Sequence, residues 1–252
     1  MRLTIVGCSG SYPGPDSPAS CYLLEQEHEG RVWRILLDMG NGSLGVLHRF
    51  VDPMVIDAVF ISHLHVDHCI DLCSFYVLRK YHPSGPAPQI PVWGPNGTDE
   101  RMARAYDLAP QPGMTEEFQF FAYAGAPVTI GPFSVEAVPV EHPVEAYSMR
   151  VSANGSVLVY SGDTGPCDAF DEVAEGADLL LAEASFLHGR ENPPQLHMTG
   201  RDCGLAATKA GAGRLVLTHI PPWYDRAVAL EEAKETYDGP IELAGTGARF
   251  VI

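Results

Sequence analysis

The sequence predicts an α/β protein, with mixed β-sheets and helices packed outside them, in one domain spanning residues 1–252. Three observations point there. Short β-rich runs alternate with helical segments along the whole chain. Two late runs, "DLLLAEA" and "RLVLTH", are continuously apolar, as strands buried on both faces are. No linker, low-complexity tract or repeat interrupts the 252 residues, a length that fits one large domain with a sizeable core.

Taken in order, "RLTIV", "SCYLLEQ" and "VWRILLD" read as strands, separated by the turn-rich "GSYPGPDSP" and "EHEGR". "SLGVLHRF" is a short helix after the "MGNG" turn. "DAVFIS" is a strand. "HCIDLCSFYVLRKY" is a helix, with apolar positions near i, i+3, i+4 and i+7. "IPVWG" is a strand and "DERMARAYDL" a helix. "EEFQFFAY", "FSVEAVPV", "AYSMRVS" and "SVLVYSG" are strands, followed by the two buried-type runs. "GRDCGLAATKAG" is a helix capped by Thr199, with Asp202 three positions on in a variant of the capping box. "RAVALEEAKETY" is an amphipathic helix and "ARFVI" a closing strand. "HPSGPAP" and "APQPGM" are too short for linkers and read as surface loops.

Composition narrows the function classes. The chain is 46% hydrophobic and 19% charged, with a formal net charge of −16. Such a balance repels polyanions unless a basic patch or bound cation offsets it, which disfavours long nucleic acid as a partner. No apolar run approaches the roughly 20 residues of a membrane span. The opening "MRLTIVGCSGSYPG" lacks the long apolar core of a signal peptide, so a cytoplasmic location is expected. The six cysteines form no C-x-x-C pair and read as free, mostly buried thiols.

The chemistry concentrates in "VFISHLHVDHCIDL". His63, His65, Asp67 and His68 fall within six residues at the junction of an apolar strand and a helix. In an extended segment residues i and i+2 point the same way, so His63 and His65 can hold one metal side by side. Asp67 and His68 begin the helix and turn elsewhere, so the spacing offers two adjacent groups of ligands. Imidazole and carboxylate suit zinc, and also manganese or iron. Completing ligands are expected at later strand ends. His142 follows "FSVEAVPVE", Asp163 follows "SVLVYSG" and His219 follows "RLVLT".

Together with "VGCSGSYPGPDSPASCYLL", "LLDMGNG", "VEHPVEAYSMRV", "LLLAEASF", "LHMTG" and "LVLTHIPPW", this order resembles the metallo-β-lactamase fold superfamily over nearly the whole chain. It is most similar to the ribonuclease Z-like phosphodiesterase branch, and within it to a bacterial subgroup linked to cyclic-nucleotide phosphodiesterase activity. The resemblance implies a four-layer αββα sandwich with two divalent metal ions at one edge. His63, His65 and His142 would hold the first, Asp67, His68 and His219 the second, and Asp163 would bridge them. Two ions roughly 3.5–4 Å apart can share a hydroxide and clamp a phosphoryl group. Zinc is the default for this ligand set.

Asp67 and His197 are the catalytic candidates, Asp67 from among the ligands. His197, in "QLHMTG", matches the general-acid histidine of the family and would serve the leaving oxygen. Glu183 could orient a ligand histidine or simply end a solvated strand. Trp223, in "HIPPWYDR", has two readings, a pocket wall that stacks a base and buried packing beside the prolines. His28, His48, His82 and His188 fall outside the pattern.

Two departures from tRNA-processing ribonuclease Z bear on the substrate. That family inserts a long tRNA-gripping arm between the positions of His142 and Asp163, which here are 21 positions apart. Its first loop is basic, whereas "PGPDSPAS" has Asp16 and no Lys or Arg. The expectation is a small phosphodiester, a 3′,5′-cyclic nucleotide cut by a metal-bridging hydroxide to a 5′-monophosphate, and a homodimer as in the family. The alternatives are a ribonuclease Z-like endonuclease and a non-catalytic metal-binding module. Glyoxalase II-like thioesterases are disfavoured because the chain ends 33 residues after His219. The missing export signal argues against a secreted β-lactamase, and the missing flavin domain and His at position 65 argue against a flavodiiron protein.

Overall fold

The computed structural model describes residues 1–252. Each half of the chain builds one sheet, starting antiparallel and finishing parallel. In the first, β1 (Arg2–Gly7), β2 (Cys21–His28) and β3 (Arg31–Leu37) form a meander. β4 (Ala58–Phe60), β5 (Ile90–Gly94) and β6 (Phe118–Ala122) then add in parallel. Their connections carry α1 (Ser43–Leu47), α2 (Val66–Cys69), α3 (Asp71–Tyr81) and α4 (Thr98–Ala105).

The second half repeats the plan. β7 (Val128–Ile130), β8 (Phe133–Pro139), β9 (Tyr147–Ala153) and β10 (Ser156–Tyr160) are antiparallel. β11 (Leu179–Glu183), β12 (Leu215–Thr218) and β13 (Ile241–Leu243) follow in parallel, joined by α5 (Asp168–Ala174), α6 (Gly200–Ala210) and α7 (Arg226–Lys234). β14 (Arg249–Val251) returns to pair with β1, giving the orders 14-1-2-3-4-5-6 and 13-12-11-10-9-8-7.

Alternation along the strands sorts side chains into layers. Leu3, Ile5, Ile35, Leu37 and Phe60 face Phe133, Met149, Val151, Leu158 and Leu181 between the sheets. Their neighbours Val6, Leu36, Val59 and Ile61 point outward onto Leu72, Phe75 and Met102. On the other side Val159, Leu180, Ala182 and Leu217 meet Phe170, Ala206, Ala207 and Ala229. The result is the αββα sandwich. In an open sheet with parallel strands, ligands gather outside the carboxyl ends of those strands. Here the C-terminal ends of β3 and β4 lie together, as do those of β10, β11 and β12.

Most expected elements are present, with differences at ends and edges. The single helix expected over 68–81 is broken at Ile70 into α2 and α3. The backbone there is tied to another segment. Met39 N–H donates to His68 O at 2.7 Å and Asp71 N–H to Met39 O at 2.9 Å, while the Asp71 carboxylate accepts Leu44 N–H. Three short elements gave too little pattern to read: β7, β13 and α5, the last with only Phe170, Val173 and Ala174 buried. The expected capping box on α6 is formed by Thr199 and Asp202. All six cysteines are free and five are buried. No helix is long and apolar enough to cross a membrane.

Candidate metal centre

The seven sequence-predicted ligand residues converge at one end of the sandwich, each from the C-terminal side of a strand. His63, His65, Asp67 and His68 follow β4, His142 follows β8, Asp163 follows β10 and His219 follows β12. They fall into two triads. His63 Nε2 lies 3.0 Å from His65 Nδ1, which lies 3.3 Å from His142 Nε2. His219 Nε2 lies 3.1 Å from both His68 Nε2 and Asp67 Oδ2, and the last two are 3.7 Å apart. Donors about 2.0–2.1 Å from a tetrahedral zinc stand roughly 3.4 Å from one another, so both spacings suit such an ion. The first triad opens to solvent at His65; the second is buried.

Asp163 stands between the triads, 2% exposed. Its Oδ2 lies 3.8 Å from His63 Nε2 and its Oδ1 3.3 Å from His68 Nε2. Oδ1 has no hydrogen-bond partner although it is buried. An orphaned buried carboxylate oxygen carries a desolvation penalty that a cation would relieve. The donor chemistry and this orphan oxygen both fit bound divalent metal.

Outer contacts aim the imidazoles. His142 Nδ1–H donates to Leu196 O at 3.0 Å and His68 Nδ1–H to Asp38 Oδ2 at 2.7 Å, leaving each Nε2 free to face its triad. Ser185 Oγ meets His219 Nδ1 at 2.8 Å, and Ser62 Oγ meets His63 Nδ1 at 3.1 Å. Asp38 is the hub of this outer layer. It accepts Ser62 N–H and Oγ–H, and Tyr160 O–H at 2.7 Å. Its role was not read from the sequence. The available signal was an aspartate ending an apolar strand, the same signal that marked Asp163.

Charge and burial set the protonation. Burial lowers the pKa of His63, His65 and His142, favouring the neutral imidazole a metal requires. Burial also opposes charge on His68, but Asp163 and Asp38 outweigh it and raise the pKa. Burial would raise Asp67, yet His219 and His68 hold its carboxyl below the usual range. Cys69 donates to His65 O, and burial pushes its thiol up to about 12, so it stays protonated.

His197 lies beside the triads, its Nδ1 3.9 Å from Asp163 Oδ2. Its Nδ1–H donates to Glu183 Oε1 at 2.8 Å, leaving Nε2 unengaged. Burial opposes its charged form, but Glu183 raises the pKa to about 9. Glu183 is fully buried rather than a solvated strand end. It also accepts Thr164 N–H at 3.1 Å and Ser185 N–H at 3.0 Å, so it ties the segments bearing Asp163 and His197 to its own, on which Ser185 meets His219. It orients His197, not a ligand histidine as the sequence suggested. Trp223 is 56% exposed, which rules out its reading as buried packing. His28 and His48 end β2 and follow α1, and His82 and His188 lie in loops; none joins the cluster.

Two loop residues fix the approach of these segments. A Cβ on Gly40 would lie 2.0 Å from Asp67 O, and one on Gly10 would lie 2.2 Å from His219 O. Glycine is required at both. His219 itself adopts φ +52°, in the left-handed region that non-glycine residues rarely enter outside constrained sites.

Comparison with known proteins gives concordant matches. A family model described as the beta-lactamase superfamily domain matches residues 33–220. The Mycobacterium tuberculosis protein Rv1339 is 42% identical over 247 residues, covering 96% of this chain and 88% of its own length. The probable metallo-hydrolase YhfI of Bacillus subtilis is 28% identical over 98% of each chain. The crystal structure of YhfI, a metallo-β-lactamase fold protein, matches with a TM-score of 0.87 over 99% of both chains. The human short-form tRNase Z shares the fold at 21% identity, with a TM-score of 0.77 over 100% of this chain and 99% of its own.

Proposed function

Because the chain belongs to the beta-lactamase superfamily and has the metallo-β-lactamase fold, we propose that it is a two-metal phosphodiesterase that converts a small 3′,5′-cyclic nucleotide, cyclic AMP being the leading case, to its 5′-monophosphate. The whole of residues 1–252 serves as one hydrolase domain. A metallo-hydrolase is the coarser reading that family membership already gives. The observation that supports two ions is Asp163, whose two carboxylate oxygens face different triads, one of them with no partner inside the protein.

His63, His65 and His142 would hold one ion, Asp67, His68 and His219 the other, with Asp163 shared. When bound, such a pair supplies a nucleophilic water at neutral pH and positive charge for the phosphoryl oxygens. Zinc suits the imidazole-rich set, as would manganese or iron. His142, His68, His219 and His63 are held in orientation by Leu196 O, Asp38, Ser185 and Ser62. His197, held through Nδ1 by Glu183, keeps a proton at Nε2 for the departing 3′ oxygen. As the new P–O bond to the water oxygen forms, the P–O3′ bond breaks and that proton goes to O3′, while the proton that water gives up passes to solvent, from which His197 is reprotonated.

Two features support a small substrate over a polymer. The formal charge is −16, and the loop Gly14–Ser20 holds Asp16 and no Lys or Arg. Segments between His142 and Asp163 are occupied by β9 and β10, which leaves no room for an RNA-gripping arm.

The test is metal-replete hydrolysis of 3′,5′-cyclic AMP, with a pre-tRNA and bis-p-nitrophenyl phosphate alongside, and metal content measured on the same protein. Expected are two ions per chain and saturable cleavage of the cyclic nucleotide with pre-tRNA intact. Cleavage of the artificial diester alone would remove the cyclic nucleotide as substrate. A loaded protein that cuts nothing would be a metal-binding module.

A further inference from the structure

We infer that Tyr12 and Trp223 form a stacking platform for the base of the nucleotide, beside the metal centre. The inference rests on the nucleotide reading above and adds the residues that read the base, which that reading leaves unassigned.

The two rings belong to different loops and meet at a centroid distance of 5.4 Å with a tilt of 37°. They are 43% and 56% exposed, two of only five exposed side chains among the 23 aromatic residues of the chain. Their loops join at the metal centre. Ser9 pairs with Ile220, and Gly10 N–H donates to Ile220 O at 3.2 Å. Gly10 lies so close to His219 that no Cβ fits between them. The chain then folds tightly, with Tyr12 N–H donating to Gly10 O at 2.8 Å and Ser11 at φ +65°. Tyr12 Cα therefore lies within about 7.6 Å, two Cα steps, of a residue packed on a candidate metal ligand. Trp223 is four residues from His219, on a turn closed by Tyr224 N–H donating to Pro221 O.

The loops are also stiff. Pro13, Pro15 and Pro18 punctuate one, Pro221 and Pro222 the other, and Gly14 packs against the Pro222 ring. A pre-set platform loses little conformational freedom when a flat ligand lands on it. Between Cys8 and Ser17 the only charged side chain is Asp16, and on the other loop Arg226 stands beside Asp225 and donates to Ala244 O, so what this surface chiefly offers is π faces. That chemistry suits a nucleobase whose phosphate is held elsewhere, because every base presents a π face. Two half-covered aromatics fall well short of the ~800 Å² per partner of a stable protein interface, which disfavours a second copy as the occupant.

The test compares wild type with Trp223→Ala, Trp223→Phe and Tyr12→Ala on two substrates. One is 3′,5′-cyclic AMP; the other is 1-O-methylribose 3′,5′-cyclic phosphate, which has the same ring phosphate and no base. Trp223→Ala should raise KM for cyclic AMP about tenfold, with Trp223→Phe close to wild type and all variants unchanged on the base-free diester. Equal losses on both substrates, or no change on either, would overturn the platform. So would a change of oligomeric state in Trp223→Ala, which would make the pair an interface between copies.

A second readout separates this inference from the function it rests on. The chain has three tryptophans, and Trp223 is the exposed one. Quenching of fluorescence by AMP but not by ribose 5-phosphate, lost in Trp223→Phe, would support the platform even if wild type failed to hydrolyse cyclic AMP. Equal quenching by both, or none by either, would overturn it even in an active phosphodiesterase.

Discussion

At the scale of single residues, the centre depends on two kinds of group, those that face its interior and those that aim them. Asp163 is the first kind. It is the one carboxylate within reach of both triads, and its unpartnered Oδ1 has nothing else to bind. Asp163→Ala should therefore leave a folded protein that binds fewer than two ions per chain and loses at least about 100-fold in turnover, the scale of removing one electrostatic stabiliser. Metal analysis beside circular dichroism checks this, and wild-type turnover in the variant would sink the shared-carboxylate reading. His197 acts differently. Held by Glu183 at 2.8 Å, it matters only where the departing oxygen needs a proton. His197→Ala should slow an alkoxide leaving group by roughly 10²–10⁴-fold and p-nitrophenolate by much less. Equal losses on the two classes of diester would argue for positioning instead of proton donation.

At the scale of elements, the site is made by strand ends brought within a few ångströms by glycine-permitted contacts. Gly40 shows the requirement. Its missing Cβ is the space in which the Asp67 carbonyl sits, and the neighbouring Met39 N–H holds His68 O. Gly40→Ala would push the Asp67–His68 segment outward and should weaken metal affinity about 10–100-fold, the range seen when supports of a metal site are lost. Gly45→Ala is the control. It lies in α1 with open space around it, and should be neutral or stabilise by about 0.4–1 kcal/mol. Competition against a chromophoric chelator measures the first effect and thermal melting the second. If both variants behave alike, close approach at Gly40 is not what shapes the site.

The same geometry explains what the sequence could disclose. Groups within one strand–helix junction, such as His63 and His65, announce themselves by spacing, and His142, Asp163 and His219 by following apolar strands. Asp38 and Tyr160 are 122 positions apart, and Ser185 and His219 are 34 apart. Their pairing is a product of sheet register, which no local pattern encodes. The break at Ile70 was hidden for the same reason, since it answers to a bond with residue 39.

At the scale of the whole molecule, the two sheets meet at this centre from both halves of the chain. His63, His65, Asp67 and His68 come from the first sheet, His142, Asp163 and His219 from the second. Hydrogen bonds between the halves reinforce that end, among them Tyr147 N–H to Ser62 O at 3.0 Å, Tyr160 O–H to Asp38 and the Tyr22–Thr218 hydroxyl pair at 2.8 Å. Cations bound there would cross-link the sheets, and the free energy of binding would become free energy of folding. Ions at a free concentration of about 100 Kd would nearly fill the site and contribute ~2.7 kcal/mol, and each 1 kcal/mol moves the melting temperature of a chain near this size by about 2–4 °C. Chelation should thus lower the melting temperature by roughly 5–10 °C, reversibly on adding zinc or manganese back. Asp163→Ala should start from a lower melting temperature and respond less to chelation. The acidic surface sharpens the test, because −16 of formal charge makes the metal-free protein repel itself while adding little specific affinity elsewhere. If ions stabilise wild type and Asp163→Ala equally, they are bound by the general surface and the cross-link between the sheets does not exist.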